Sequence, residues 1–296
     1  MKVLYFDCFS GISGDMTIGA LLDAGANADA LVAELKKLNF EDEYELSWTK
    51  VNKNGITSTK FDVHLLNEEH THAHHHAHTH DHKHHHEHSH THTHHHTHDH
   101  EHHHHEHNHA HEHADHQHHG EGHAHHHRSY KDIVKMITEA GLSENAENIA
   151  LRIFKKIGEA EGHIHGMPLE TVHFHEVGAV DSIIDIVGTS ILIDQLGIDK
   201  IIASPVPVGS GHIHIDHGIY PVPAPATLEI LRGVPLRCSS IKAELTTPTG
   251  AAIIAVLAEE YGDLPAITVN SIGYGAGTKT FPDHPNVLRA VIGEQK

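Results

Sequence analysis

Three histidine pairs and one histidine tract are the residues in this sequence best suited to chemistry. The pairs are His163/His165, His173/His175 and His212/His214, each with one residue between its members. Random placement of the nine histidines outside the tract would give only about a third of one such pair. On a strand, residues i and i+2 project to the same face, so each pair would present two imidazoles together. Glu176 follows His175, and Asp216 extends the His212/His214 face, which makes two credible sites for a metal or for acid–base work. The plainer alternative is that half-exposed strands carry polar residues on their wet side. The glycines flanking His163 and His165 favour a loop there.

The tract runs from His70 to His127 and holds 34 of the 43 histidines. Neighbours such as His74/His76, His94/His96 and His103/His105 offer many pairs of neutral imidazole, a donor that suits nickel, copper, zinc or cobalt. Binding there should release protons, because imidazoles with a pKa of about 6.5 are partly charged at neutral pH. A slippage-driven expansion that binds metal incidentally is the competing account.

Two carboxylates, Asp181 and Asp185, stand one helical turn apart just after the His173–Glu176 segment, on one face of the expected helix. They suit cation binding or proton transfer, or form a solvated helix face. Ser10-Gly11-Ile12-Ser13-Gly14-Asp15 lies between an expected strand and helix, and Thr246-Thr247-Pro248-Thr249-Gly250 precedes another helix. Small and hydroxyl residues at helix N-termini suit an anion such as phosphate. That makes Ser10, Gly11, Ser13, Gly14, Asp15, Thr247, Thr249 and Gly250 candidate cofactor-binding residues, with plain N-capping as the alternative. Neither segment matches a Walker loop or a G-x-G-x-x-G fingerprint. Gly273–Gly277 reads as a flexible loop. Cys8 and Cys238 are too few for a disulfide scaffold and suit a reducing cytosol.

The elements that must position these residues alternate along the chain. Lys2–Asp7 reads as a buried strand, and Met16, Ala20, Leu21 and Ala24 as one helical face ending at Gly25. Leu31–Leu38 repeats the helical spacing. Glu43–Val51 and Ile56–Leu66 alternate as a hairpin about Lys53-Asn54-Gly55. Beyond the tract, Tyr130–Ile137, Ile149–Ile157, Asp181–Leu196, Ala226–Leu231 and Thr249–Tyr261 have helical spacing. Thr171–Val177, Ile201–Val208, Gly211–Asp216, Ala266–Tyr274 and Val287–Ile292 read as strands. The class is α/β or α+β, mixed strands and helices interrupted by a disordered His-rich insert. Residues 1–67 form an N-terminal α/β segment, 68–128 the metal-binding insert, and 129–296 a second α/β segment packing with the first into one domain.

The formal net charge is −20 with histidines neutral, and no Lys/Arg stripe is present. Nucleic acid and anionic membranes are poor partners for such a chain, and no apolar run is long enough to span a bilayer. Cations are the better match.

Taken together, five ordered segments resemble the LarC family of nickel insertion proteins. They are Phe9–Met16 with Gly19–Asp23, His173–Ile183, Pro221–Thr227, Thr247–Ala251 and Gly273–Gly277, and the family commonly carries a His-rich insert where this tract lies. The resemblance implies a cytoplasmic nickel chelatase, a lyase forming two Ni–S bonds and one Ni–C bond in pyridinium-3,5-bisthiocarboxylic acid mononucleotide. CTP with Mg2+ or Mn2+ would assist, bound by a C-terminal portion beyond the residues matched here, and a lactate racemase-type enzyme would receive the nickel-pincer cofactor. On that basis His175, Glu176 and Asp181 are the expected catalytic residues. His173, His175, His212, His214, Asp216 and the tract histidines are the expected metal-binding set. The rival functions are a non-catalytic nickel store or metallochaperone, and a metal-dependent hydrolase built on the H-x-H-E segment.

Overall fold

The computed structural model describes residues 1–66, 128–174, 178–215 and 218–296. The candidates His74, His76, His94, His96, His103, His105, His175, Glu176 and Asp216 lie outside these. Before the insert come β1 (Lys2–Asp7), α1 (Gly14–Asp23), α2 (Ala28–Leu35), β2 (Tyr44–Lys53) and β3 (Ile56–Leu65). After it come α3 (Tyr130–Glu139), α4 (Glu144–His165), α5 (Val180–Leu196), β4 (Lys200–Ala203), β5 (Val206–Pro207) and β6 (His212–Ile215). The chain continues through β7 (Gly218–Pro221), α6 (Pro225–Ile230), β8 (Leu236–Arg237) and α7 (Pro248–Leu257). It ends with β9 (Glu260–Tyr261), β10 (Thr268–Ala276) and β11 (Val287–Glu294).

Seven strands form one mixed sheet in the order β2-β3-β10-β11-β1-β4-β9. Strand β1 pairs antiparallel with the middle strand β11 from Lys2↔Glu294 to Asp7↔Arg289 and parallel with β4. Strands from both sides of the insert therefore share one sheet. Leu4, Phe6, Leu288, Ala290 and Ile292 point to one side and join the buried faces of the helices in one core. Val3, Tyr5, Ile202 and Val291 form a much smaller cluster on the other side. The alternation is what a pleated strand dictates.

How closely α1 approaches the sheet is set by glycine. A Cβ on Gly275 would land far inside contact distance of the Met16 carbonyl oxygen, and one on Gly273 far inside that of Ala20. Gly19 makes the reciprocal approach, against the Thr59 carbonyl of β3. With no side chain at these positions, α1 lies directly on β10 and β3. Gly273–Ala276 is thus the end of a paired strand, not a flexible loop; its register with β11 runs Gly273↔Ala290 to Ala276↔Val287.

Both flanks of the insert meet at one residue. Leu66 donates its N–H to the Glu43 carbonyl at 2.9 Å, and Arg128 pairs with the Glu43 carboxylate while lying 4.9 Å from the centre of the Phe40 ring. Ser129 then opens α3 with a capping box, exchanging hydrogen bonds with Asp132.

Several expected elements differ; Ile201–Val208, which reads as one strand, divides into β4 of the main sheet and β5 of a two-stranded one. Where Thr171–Val177 reads as a strand, Leu169–Thr171 is a 3-10 turn and His173 makes a single bridge to Ser129. Val172 and Phe174 are buried and His173 is exposed, so the two-residue alternation holds. Among the described residues no partner strand extends the pairing. His163 and His165 sit in the last turn of α4, not in a loop, where residues two apart point about 200° from each other and His165 faces Glu161 at 3.3 Å. The helix expected to reach Tyr261 stops at Leu257, because Glu260 and Tyr261 leave it to pair with β4.

Candidate functional site

A cleft of about 430 Å3 opens where three helices begin. Ser13, Gly14 and Asp15 reach it from α1, Asp181, Ser182 and Asp185 from α5, and Thr247, Pro248 and Thr249 from α7. Strand β3 adds Lys60 and Asp62, and Glu244 closes one side. Volumes of this order hold small ligands.

The two loops that the sequence marks as helix openings are locked together. The N–H of Ile12 donates to the Leu245 carbonyl at 3.0 Å, and that of Thr247 returns to the Ile12 carbonyl at 3.1 Å. Thr247 caps α7 by accepting the Gly250 N–H at 3.2 Å, and Pro248 takes the first helical position, where no N–H is needed. Three candidates do structural work instead of lining the cleft. Gly11, at φ +92, passes against the Leu245 carbonyl; Gly250 lies against that of Ile12; Ser10 is fully buried.

Charge in the cleft is lopsided. Asp15 gives one carboxylate oxygen to the Ser13 hydroxyl and the other to Lys60 at 2.8 Å. Lys60 is also paired with Asp62 at 2.7 Å, and its side chain is only 13 % exposed. Burial alone would push the Lys60 ammonium down; Asp15 and Asp62 together outweigh it and hold the group above the usual lysine value. One ammonium thus serves Asp15 and Asp62, with Asp181, Asp185 and Glu244 in the same cleft. The charge balance favours a cation over the bare phosphate that the loop composition suggests.

Asp185 is the most perturbed of these groups. The start of α1 packs against its carboxylate, whose Oδ1 is sealed from solvent and has no hydrogen-bond partner. Gly14 makes the contact possible, since a Cβ there would collide with the Asp185 carboxylate. Burial first, then the Asp15 and Asp181 carboxylates, push Asp185 well above the usual carboxylate range, against the opposing pull of Lys60. Unfolded, such a group ionises near pH 4; folded, it keeps its proton to higher pH. Its contribution to stability is therefore full below the unfolded value and is lost as pH rises through the folded one. Asp185→Asn should raise the melting temperature at pH 7 by about 2–4 °C and leave it nearly unchanged at pH 4. An equal loss at both pH values would contradict this.

The described histidines of the pairs stand elsewhere. His173 is exposed beside α3, and His212 and His214 are exposed on β6 of a two-stranded hairpin; none lines the cleft. Among the described residues no three His, Cys, Asp or Glu side chains are grouped to hold a metal ion. Burial pushes the Cys8 thiol up to about 12, so it is inert, and Cys238 is exposed. Lys60, Asp62 and Glu244 were not among the sequence candidates. The alternation of Lys60 and Asp62 along β3 signals a charged strand face, but their meeting with Asp15 is tertiary.

Fold and site together define a mixed α/β protein with an acid-lined cleft where three helices begin. The chain belongs to the nickel insertion protein family, whose model matches residues 4–296. It is 47 % identical over 295 residues to the pyridinium-3,5-bisthiocarboxylic acid mononucleotide nickel insertion protein of Geobacillus kaustophilus, covering 100 % of this chain and 60 % of the relative. It is 44 % identical over 296 residues to the protein of the same name from Clostridium kluyveri, covering 100 % of this chain and 63 % of the relative. A putative nickel insertion protein of Geobacter sp. is 40 % identical over 295 residues, covering 100 % of this chain and 62 % of that protein. The chain spans about three-fifths of the length of these curated relatives. No solved structure matches it.

Proposed function

We propose that this chain performs the metal-handling part of nickel insertion into pyridinium-3,5-bisthiocarboxylic acid mononucleotide, the compound for which the Geobacillus and Clostridium relatives are named. The observation that carries it is the acid-lined cleft of about 430 Å3, where one lysine stands among five carboxyl groups. A dication is drawn into such a site, and the N-termini of α1 and α7 supply N–H groups for the substrate phosphate once that dication is present. Nickel is cargo here. Two thiocarboxylate sulfurs and a ring carbon of the substrate become its ligands, so the protein must surrender the ion, and a closed cage of side chains would oppose that.

The rest of the reading follows from the family. The reaction is that of a lyase-type nickel chelatase. CTP with Mg2+ or Mn2+ assists, held by the further portion that the longer relatives suggest, and the product passes to a lactate racemase-type enzyme. The work takes place in the cytoplasm, which suits an exposed free thiol at Cys238. Among the described residues no helix is long and apolar enough to cross a membrane. Histidines of the tract gather nickel and raise its local concentration. His173, His175, Glu176, His212, His214 and Asp216 relay it from there.

The test is incubation with nickel, CTP, Mg2+ and the dithiocarboxylate mononucleotide, with and without the C-terminal portion, followed by mass spectrometry for the nickel adduct. Removing residues 70–127 should raise the nickel concentration for half-maximal formation at least about tenfold and leave the saturated rate within about twofold. Complete loss of the adduct in saturating nickel would return the protein to the class of metal stores.

A further inference from the structure

We propose that Asp185 accepts the proton that nickel displaces from the ring carbon of the substrate, an inference that rests on the nickel-insertion reading above. Nickel insertion at carbon is a substitution without redox change. The C–H bond breaks, its electron pair becomes the Ni–C bond, and one proton must leave. The sulfurs enter as thiolates, so only the ring proton needs an acceptor at the moment of substitution.

The four aspartates of the cleft are not equivalent as acceptors. Asp15 has both oxygens engaged, by Ser13 and Lys60. Asp62 is paired with the same ammonium and is 39 % exposed. Asp181 accepts the N–H of Ser182 and lies exposed at the start of α5. Asp185, one turn further along, lines the cleft and keeps an enclosed Oδ1 without a hydrogen-bond partner, with Gly14 packed against the carboxylate. A carboxylate with one oxygen enclosed and unpartnered is poorly solvated as an anion, and a proton arriving from the cleft relieves that cost.

The charged groups around Asp185 set when it takes the proton. Asp15 on α1 and Asp181 on α5 raise its proton affinity, with burial the largest cause, and Lys60 on β3 opposes them. An incoming dication favours the ionised form and readies the carboxylate. As two thiolates and the ring carbon neutralise the nickel charge, that influence fades and the burial and carboxylate effects return. Proton affinity is thus restored at the step in which the ring proton must go.

The experiment compares wild type, Asp185→Asn and Asp185→Glu in the nickel-insertion assay across pH 5–9. Asp185→Asn should lower kcat by at least about 100-fold, leave KM for the mononucleotide within about threefold, and remove the ascending limb of the pH profile. Asp185→Glu should restore part of the rate with a displaced limb. A wild-type rate and an unchanged limb in Asp185→Asn would overturn the proposal, as would a loss expressed only in KM. Absence of the nickel adduct in wild type would instead overturn the nickel-insertion reading, and the assignment of Asp185 with it. Melting curves of each variant separate lost chemistry from lost fold.

Discussion

A valine at position 275 should cost the protein more than about 4 kcal/mol of stability, enough to leave little folded chain at 37 °C. Gly275 faces the Met16 carbonyl and the Ala20 amide of α1 with no room for a Cβ. The obstacle is helix backbone, which cannot step aside as the end of a flexible side chain would. To admit valine, α1 must lift from β10 and surrender the packing of Met16, Ile18 and Leu21, all buried in the main core. Urea unfolding of Gly275→Val against Gly262→Ala measures it. Gly262 has open space where its Cβ would go, so that control should stay within about 0.5 kcal/mol of wild type. Equal midpoints for the two variants would show that α1 does not depend on this close approach.

The second large effect should come from Lys60→Met. Removing one partner of a fully buried pair costs about 3–5 kcal/mol, mainly because the remaining charge is left uncompensated. Lys60 is 13 % exposed, but Asp15 and Asp62 are 25 % and 39 % exposed, so about 2–3 kcal/mol is expected here. Replacing Asp15 by Asn in the same chain should recover about 1–2 kcal/mol, since the carboxylate left stranded is then gone. A double-mutant cycle by denaturant unfolding reads this directly, and strict additivity of the two substitutions would refute the coupling. On the function proposed above, the same variant should also bind a dication more tightly, because the ammonium in the cleft that opposes it has been removed.

Much of the scaffold can be read from local pattern. Lys2–Asp7, the hairpin about Asn54-Gly55 and the helix ending at Gly197 declare themselves by periodicity and punctuation, and each occurs. The failures share a cause: partners distant in sequence. Val172, His173 and Phe174 alternate as a strand does, yet only Ser129 is there to pair with. Glu260 and Tyr261 extend a helical pattern, yet β4 captures them. Gly273 and Gly275 look like punctuation because nothing local reveals that a helix will lie across them. The cleft follows the same rule. Ser13, Asp15, Thr247 and Thr249 could be nominated from their places before helices, and Asp181 and Asp185 from their spacing. That all of them face one cavity, with Lys60 tied between Asp15 and Asp62, is a property of the assembled sheet. The histidines, the loudest residues in the composition, point to metal but not to this cavity.

Glu43 joins the two flanks of the insert, through its carbonyl to Leu66 and its carboxylate to Arg128. For a chain joining two fixed points the closure cost grows only with the logarithm of its length, about 0.6 kcal/mol per doubling. A body whose gate posts stand together in this way is nearly indifferent to what is threaded between them. Selection can lengthen, shorten or rewrite the stretch from Leu66 to Arg128 while the sheet and cleft stay under their own, much stricter, constraints. An engineer has the same liberty: a different sequence, or a reporter domain, grafted at this joint should leave the folded body as it stands.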